Sequence, residues 1–228
     1  MISYQTAYIK AHYPATLMAA LMTDDYDDTD RLTIDITECK HMGIEVLPPD
    51  VNQSFHEFGV IKGKDKTSIR FGLDAIKNVG RGAVEEILVA RGDQPFTDLN
   101  NFAERVSVRA VNKKNWESLI KAGAMDCFGS RSALLNSLES ILLVANRRQK
   151  DIASAQADLF GETETSGMST MPKLVLTEPT EGVNKHEFLL WERELLGLYL
   201  SEHPLRDYEL ILSELSVPIG SIKADHDG

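Results

Sequence analysis

The stretch Ile69–Ala90, IRFGLDAIKNVGRGAVEEILVA, constrains what this chain can fold into more than any other. Leu73, Ile76 and Val79 precede Gly80-Arg81-Gly82 at three-residue spacing, and Val84, Ile87 and Leu88 continue a helical pattern after it. That pattern predicts short amphipathic helices meeting at a glycine-bracketed turn, a helical hairpin. Glycine at both turn positions permits φ > 0 and brings backbone N–H groups close to whatever lies outside. The unpaired N–H groups and positive dipole end of the second helix face the same spot. Such a spot suits a phosphate oxygen, and Arg81 adds a full charge to it. An ordinary helix–turn–helix corner, whose glycines only permit close packing, fits the same residues.

Charge distribution narrows the kind of partner. The net charge of −11 argues against a polyanion, but it is unevenly spread. Residues 61–150 carry 16 Lys/Arg against 10 Asp/Glu, whereas residues 1–60 carry 3 against 10 and residues 151–228 carry 5 against 15. A basic middle between acidic flanks implies an anionic partner for the middle alone. Its candidate contributors are Lys77, Arg81, Arg109, Lys113 and Lys114, with Val79, Gly80 and Gly82 supplying backbone. No apolar run reaches the roughly 20 residues that span a bilayer, and Met1-Ile2-Ser3-Tyr4 opens no signal peptide. Cys39 and Cys127, the only cysteines, fit small buried or half-buried thiols in a reducing, cytoplasmic compartment. Neither has zinc-site neighbours, and no histidine pair has metal-ligand spacing.

Taken in order, Tyr4–Thr23 reads as a helix interrupted near Pro14, with Tyr8, Tyr13, Leu17, Met18 and Leu21 on its apolar side. The acidic run Asp24–Asp30 lacks the glycine and glutamate of a calcium loop in register. It reads as a solvated loop, with Thr29 or Asp30 capping a helix over Leu32–Met42 that Gly43 ends. Ile44–Leu47 is a short strand, and Phe55–Ile61 with Thr67–Phe71 is a small β-hairpin. Leu99, Phe102, Ala103 and Val106 line one helix face. Val108–Phe128 holds a second helical pair, with Asn112 capping Lys113–Lys121 and turning Trp116, Leu119 and Ile120 inward. Ser130 caps a long helix over Arg131–Ile152. Residues 153–184 have linker composition, and helix resumes from Lys185 to about Leu200, followed by a last short helix through Leu215. The expected fold is mainly α with a small β-hairpin.

Gln156-Ala157-Asp158-Leu159-Phe160 lies in that linker. Large apolar side chains with no local core to fill have the character of a docking peptide. Folding back onto the Arg131–Ile152 helix is the other reading of Leu159 and Phe160.

QADLF resembles the internal clamp-binding pentapeptide of bacterial replicative DNA polymerase III alpha subunits. The likeness extends along the chain. SYQTAYIKAHYPATLMAAL resembles the end of that family's fingers region, and TECKHMGIEVLPPDVNQS the segment after it. IRFGLDAIKNVGRGAVEEI resembles its helix-hairpin-helix, VNKKNWESLIKAGAMDCFG the following element, and ERELLGLYLSEHPL the approach to its OB-fold. The resemblance implies four parts: fingers over 1–52, a hairpin and tandem helix-hairpin-helix domain over 53–152, a clamp-binding loop over 153–184, and a helical segment over 185–228. It implies duplex DNA, the β sliding clamp and other holoenzyme subunits as partners, with no membrane. Gln156, Leu159 and Phe160 match the positions that insert into the clamp pocket, and Gly80-Arg81-Gly82 match the hairpin at the DNA backbone. Many such hairpins place an apolar residue between the glycines, so Arg81 favours phosphate contact over packing.

The family's palm aspartates, PHP domain and OB-fold have no counterpart in these residues. Phosphoryl transfer needs carboxylates holding magnesium ions, about 3.5–4 Å apart in two-metal sites, and Asp24–Asp30 aligns with a loop rather than with the palm. This region is therefore expected to carry no catalytic residue, metal or cofactor of its own, magnesium belonging to the parent polymerase. A rival reading is a helix-hairpin-helix repair glycosylase or nuclease, for which Lys121 and Asp126 are the nearest candidates.

Overall fold

The computed structural model describes residues 2–63, 66–158, 176–177, 185–201, 205 and 208. Pro14 has no N–H to donate, and it divides the first helical stretch into α1 (Ile2–His12) and α2 (Pro14–Asp24). The buried face of α2 is Ala15, Met18, Ala19 and Met22, a stripe in which small residues let neighbouring elements come close. Of the side chains expected inside, only Met18 is buried, while Tyr8, Tyr13 and Leu21 are exposed. α1 buries nothing.

Asp28 caps α3 (Thr29–His41), accepting hydrogen bonds from the N–H groups of Asp30 and Arg31. The cap thus falls just before the expected Thr29 or Asp30. Gly43, at φ +71°, ends the helix. Ile44 N–H donates to Cys39 O and Gly43 N–H to Lys40 O, the paired bonds of a Schellman turn. Cys39 is fully buried, and burial pushes its thiol up to about 11; Cys127 lies on the surface, contrary to expectation.

The expected hairpin forms as β2 (Gly59–Lys62) antiparallel to β3 (Thr67–Arg70). β1 (Glu45–Leu47) adds in parallel on the other side of β3, pairing Val46 with Ile69. Ile69 on the central strand is fully buried.

The helical half comprises α4 (Arg81–Arg91), α5 (Leu99–Arg105), α6 (Lys113–Lys121), a 3-10 turn (Asp126–Phe128), α7 (Arg131–Asn136), α8 (Leu138–Asp158) and α9 (Lys185–Leu196). Asp98, Asn112 and Ser130 cap α5, α6 and α7 through their own side chains. The expected apolar faces are the real ones: Leu99, Phe102, Ala103 and Val106, then Trp116, Leu119 and Ile120, are all buried. Phe102 sits at their centre, with ring centroids 4.7 Å from Phe96, 5.0 Å from Trp116 and 5.7 Å from Phe128.

Three helix limits differ from expectation. The single helix over Arg131–Ile152 is divided at Ser137, whose hydroxyl accepts from Thr177 N–H at 3.1 Å. α8 then runs past Ile152 to Asp158, carrying Gln156, Ala157 and Asp158 of the docking motif on its last turn; Leu159 and Phe160 lie outside the described residues. α9 stops at Leu196 because Gly197 turns left-handed at φ +82°. The short helix expected through Leu215 falls almost wholly outside the described residues.

Candidate nucleic-acid interface

Leu73, Ile76 and Val79 are buried as their spacing requires, but they do not form a helix. The segment is a pair of tight turns, Ile76 N–H to Leu73 O and Val79 N–H to Ile76 O. The donors that a helix would need are bonded elsewhere. Leu73 N–H reaches Phe55 O, Asp74 N–H reaches His56 O, and Lys77 N–H reaches Leu195 O at the end of α9. Asn78 then takes φ +67°, which asparagine tolerates better than most residues. The left-handed turn expected of a glycine is therefore made by Asn78.

Gly80 is instead the extended N-cap of α4, at φ −77° and ψ 155°. A Cβ added at Gly80 or Gly82 would meet nothing within 4 Å. Close internal packing does not explain these glycines, and neither does positive φ. What they do is leave the outer surface of the helix start bare, with no side chain capping it. Lys77, Arg81 and the two glycines are exposed there, whereas the Val79 side chain is in the core and has only backbone to offer.

His56 lies beside Arg81, its Nδ1 3.0 Å from Asp74 Oδ1 and its Nε2 2.9 Å from Glu85 Oε2. The Asp74 hydrogen bond, opposed by burial and aided by Glu85, raises the His56 pKa above its ordinary value. A protonated His56 neutralises carboxylates next to the cationic face.

The second basic cluster starts α6. Asn112 and Asn115 form a reciprocal capping box, each side chain accepting from the other's N–H at 3.0 and 2.9 Å. Asn115, 6% exposed, also donates from Nδ2 to Asn78 O at 2.7 Å. That bond joins the turn before α4 to the start of α6. Gln149 on α8 holds the preceding loop, accepting from Val108 N–H and donating to Val106 O. Arg109 and Lys114 are exposed, and among the described residues neither they nor Lys77 and Arg81 make an ion pair. Lys113 is different: it pairs with Glu139 at 2.7 Å in full solvent. Asn115 and Gln149 escaped sequence reasoning because an amide at helical spacing looks like any surface amide.

Residues 43–134, which contain both clusters, match the family described as a helix-hairpin-helix motif. Over 214 residues the chain is 41% identical to the DNA polymerase III subunit alpha of Campylobacter jejuni, covering 92% of this chain and 18% of that protein. The Thermus aquaticus subunit is 43% identical over 209 residues, 91% of this chain and 16% of its own. That of Vibrio cholerae is 41% identical over 210 residues, 91% of this chain and 18% of its own. The chain belongs to the DNA polymerase III alpha-subunit family. It spans less than a fifth of the length of these relatives.

Within this alpha-subunit region, the residues a repair enzyme would use are committed elsewhere. Lys121 Nζ is 2.6 Å from Glu117 and lies over the Trp191 ring, and Asp126 is held by Arg131 at 2.9 Å. Within the acidic run, Asp25 pairs with Arg31 and Asp28 caps α3. Among the described residues no group of three His, Cys, Asp or Glu side chains is placed to hold a metal ion. No described helix is long and apolar enough to cross a membrane.

Proposed function

We propose that this region of an alpha subunit grips the backbone of duplex DNA without sequence preference and docks on a β sliding clamp. In that role it serves, in the cytoplasm and with other holoenzyme subunits, a DNA-directed polymerase site on another part of the natural chain. The observation that carries the reading is the bare start of α4. Its glycines face open space, so a phosphate can approach the N–H groups directly, and exposed Lys77 and Arg81 flank it. Backbone amides and Lys/Arg contact phosphates and carry no base readout, which makes the grip sequence-independent. The grip needs no cofactor of its own.

Clamp docking rests on Gln156-Ala157-Asp158-Leu159-Phe160. Burying two large apolar side chains stabilises by roughly 1.5–3 kcal/mol each. After the cost of ordering the peptide the contact is weak, about micromolar or looser. Simultaneous attachment to DNA makes a weak tether effective.

Two measurements test the reading. For DNA, log Kd against log salt for duplexes of unrelated sequence is expected to superimpose, and Arg81→Ala to flatten the slope by about 0.9, one phosphate. A salt-independent or sequence-selective isotherm would refute the grip. For the clamp, Leu159→Ala with Phe160→Ala is expected to abolish binding to purified clamp while duplex affinity holds; undiminished clamp affinity would refute the docking.

A further inference from the structure

Two basic turns lie far apart in the chain, and one hydrogen bond joins them. Asn115 uses both ends of its amide: Oδ1 accepts from Asn112 N–H within the α6 cap, and Nδ2 donates to Asn78 O across the interface. The amide is 6% exposed, so neither bond is readily exchanged for water. Its partner is the residue whose left-handed φ turns the chain into Gly80. Moving either turn relative to the other breaks the bridge.

We infer that Asn115 is a positioning residue that holds the Lys77–Gly82 turn and the Arg109–Lys114 turn as one unit, so that both meet the same DNA backbone together. The inference rests on the duplex-binding reading above. Arg81 serves the first turn and Lys114 the second; both are exposed, and neither makes an ion pair among the described residues. A rigid spacing engages both at once, whereas free turns lose one contact to disorder.

The test is a comparison of backgrounds in the full 228-residue chain. Asn115→Asp keeps an acceptor for Asn112 N–H but sets a carboxylate oxygen against Asn78 O, so it breaks only the bridge. Asn112→Asp adds the same charge at the same helix start and leaves the bridge intact. In wild type and in Asn112→Asp, Arg81→Ala and Lys114→Ala are each expected to flatten the salt slope by about 0.9. In Asn115→Asp, at least one of those substitutions is expected to have less than half that effect. A merely structural role lowers the melting temperature without removing that sensitivity. Full effects of both substitutions in the Asn115→Asp background overturn the inference and leave the DNA grip standing. Wild-type protein with no salt-dependent duplex binding overturns the grip, and this inference falls with it. If Asn115→Asp does not fold, Asn115→Ala, which places no second acceptor before Asn78 O, is read in the same way.

Discussion

Phe102→Ala is expected to cost about 3–5 kcal/mol of folding stability. The side chain has no exposed surface, and its ring contacts Phe96 ahead of α5, Trp116 on α6 and Phe128 on the 3-10 turn. These come from three different segments, so no local shift closes the hole that truncation leaves. Edge-to-face geometry at 69° with Phe96 and 86° with Trp116 adds an electrostatic part beyond burial. Against a typical total of about 5–15 kcal/mol, the loss is a large share. Denaturant unfolding is the measurement, read as a lower midpoint at an unchanged slope. A loss below about 1 kcal/mol would mean that the helical half does not fold around this ring.

Arg131→Ala has the second large effect, about 3 kcal/mol, for an electrostatic reason. Glu192 on α9 is 2% exposed, and Arg131 Nη1 is its cationic partner at 3.3 Å. The same guanidinium holds Asp126 through Nε and Nη2 and donates to Lys121 O. Removing it leaves a buried carboxylate without its cation, the situation in which breaking an ion pair is costly. Glu192 Oε2 also accepts from Leu200 N–H, Ser201 N–H and the Ser201 hydroxyl. The segment after α9 is therefore tied to the same network. Gly123, at φ +83°, belongs to it too: a Cβ there would collide with the Arg131 guanidinium, its Cζ at 2.8 Å. The expected signature is destabilisation together with faster amide exchange at Leu200 and Ser201. Wild-type exchange at those amides would show that Glu192 holds them without Arg131.

Both networks show where sequence reasoning stops. The capping of α6 and α7 was legible because each cap bonds an N–H three residues along its own chain. The Gly43 stop was legible for the same reason. Burial was legible even where conformation was not: Leu73, Ile76 and Val79 go inside at their spacing, yet the N–H groups of Leu73, Asp74 and Lys77 in the same segment serve Phe55, His56 and Leu195 instead of a helix. Tyr8, Tyr13 and Leu21 were misplaced because a large apolar side chain looks like core, whereas the real face of α2 alternates Ala and Met. Lys77, Arg81, Arg109, Lys113 and Lys114 are all exposed, but the pairing of Lys113 with Glu139, 26 positions away, carries no local trace.

The sequence by itself carried the motifs that resemble the family, and it determined the basic middle, the caps of α6 and α7 and the apolar faces of α5 and α6. The last three rest on composition or on chemistry within one or two helical turns, which chain connectivity guarantees. The tertiary structure decided that β1 joins β3, that Asn78 rather than a glycine turns the chain, and that Asn115 bridges the two hairpins. The long-range bonds, β1 to β3, Asn115 to Asn78 and Arg131 to Glu192, link groups 23 to 61 positions apart. Which distant donor meets which acceptor depends on how the whole core packs, because a buried amide or carboxylate takes the partner that packing brings within reach.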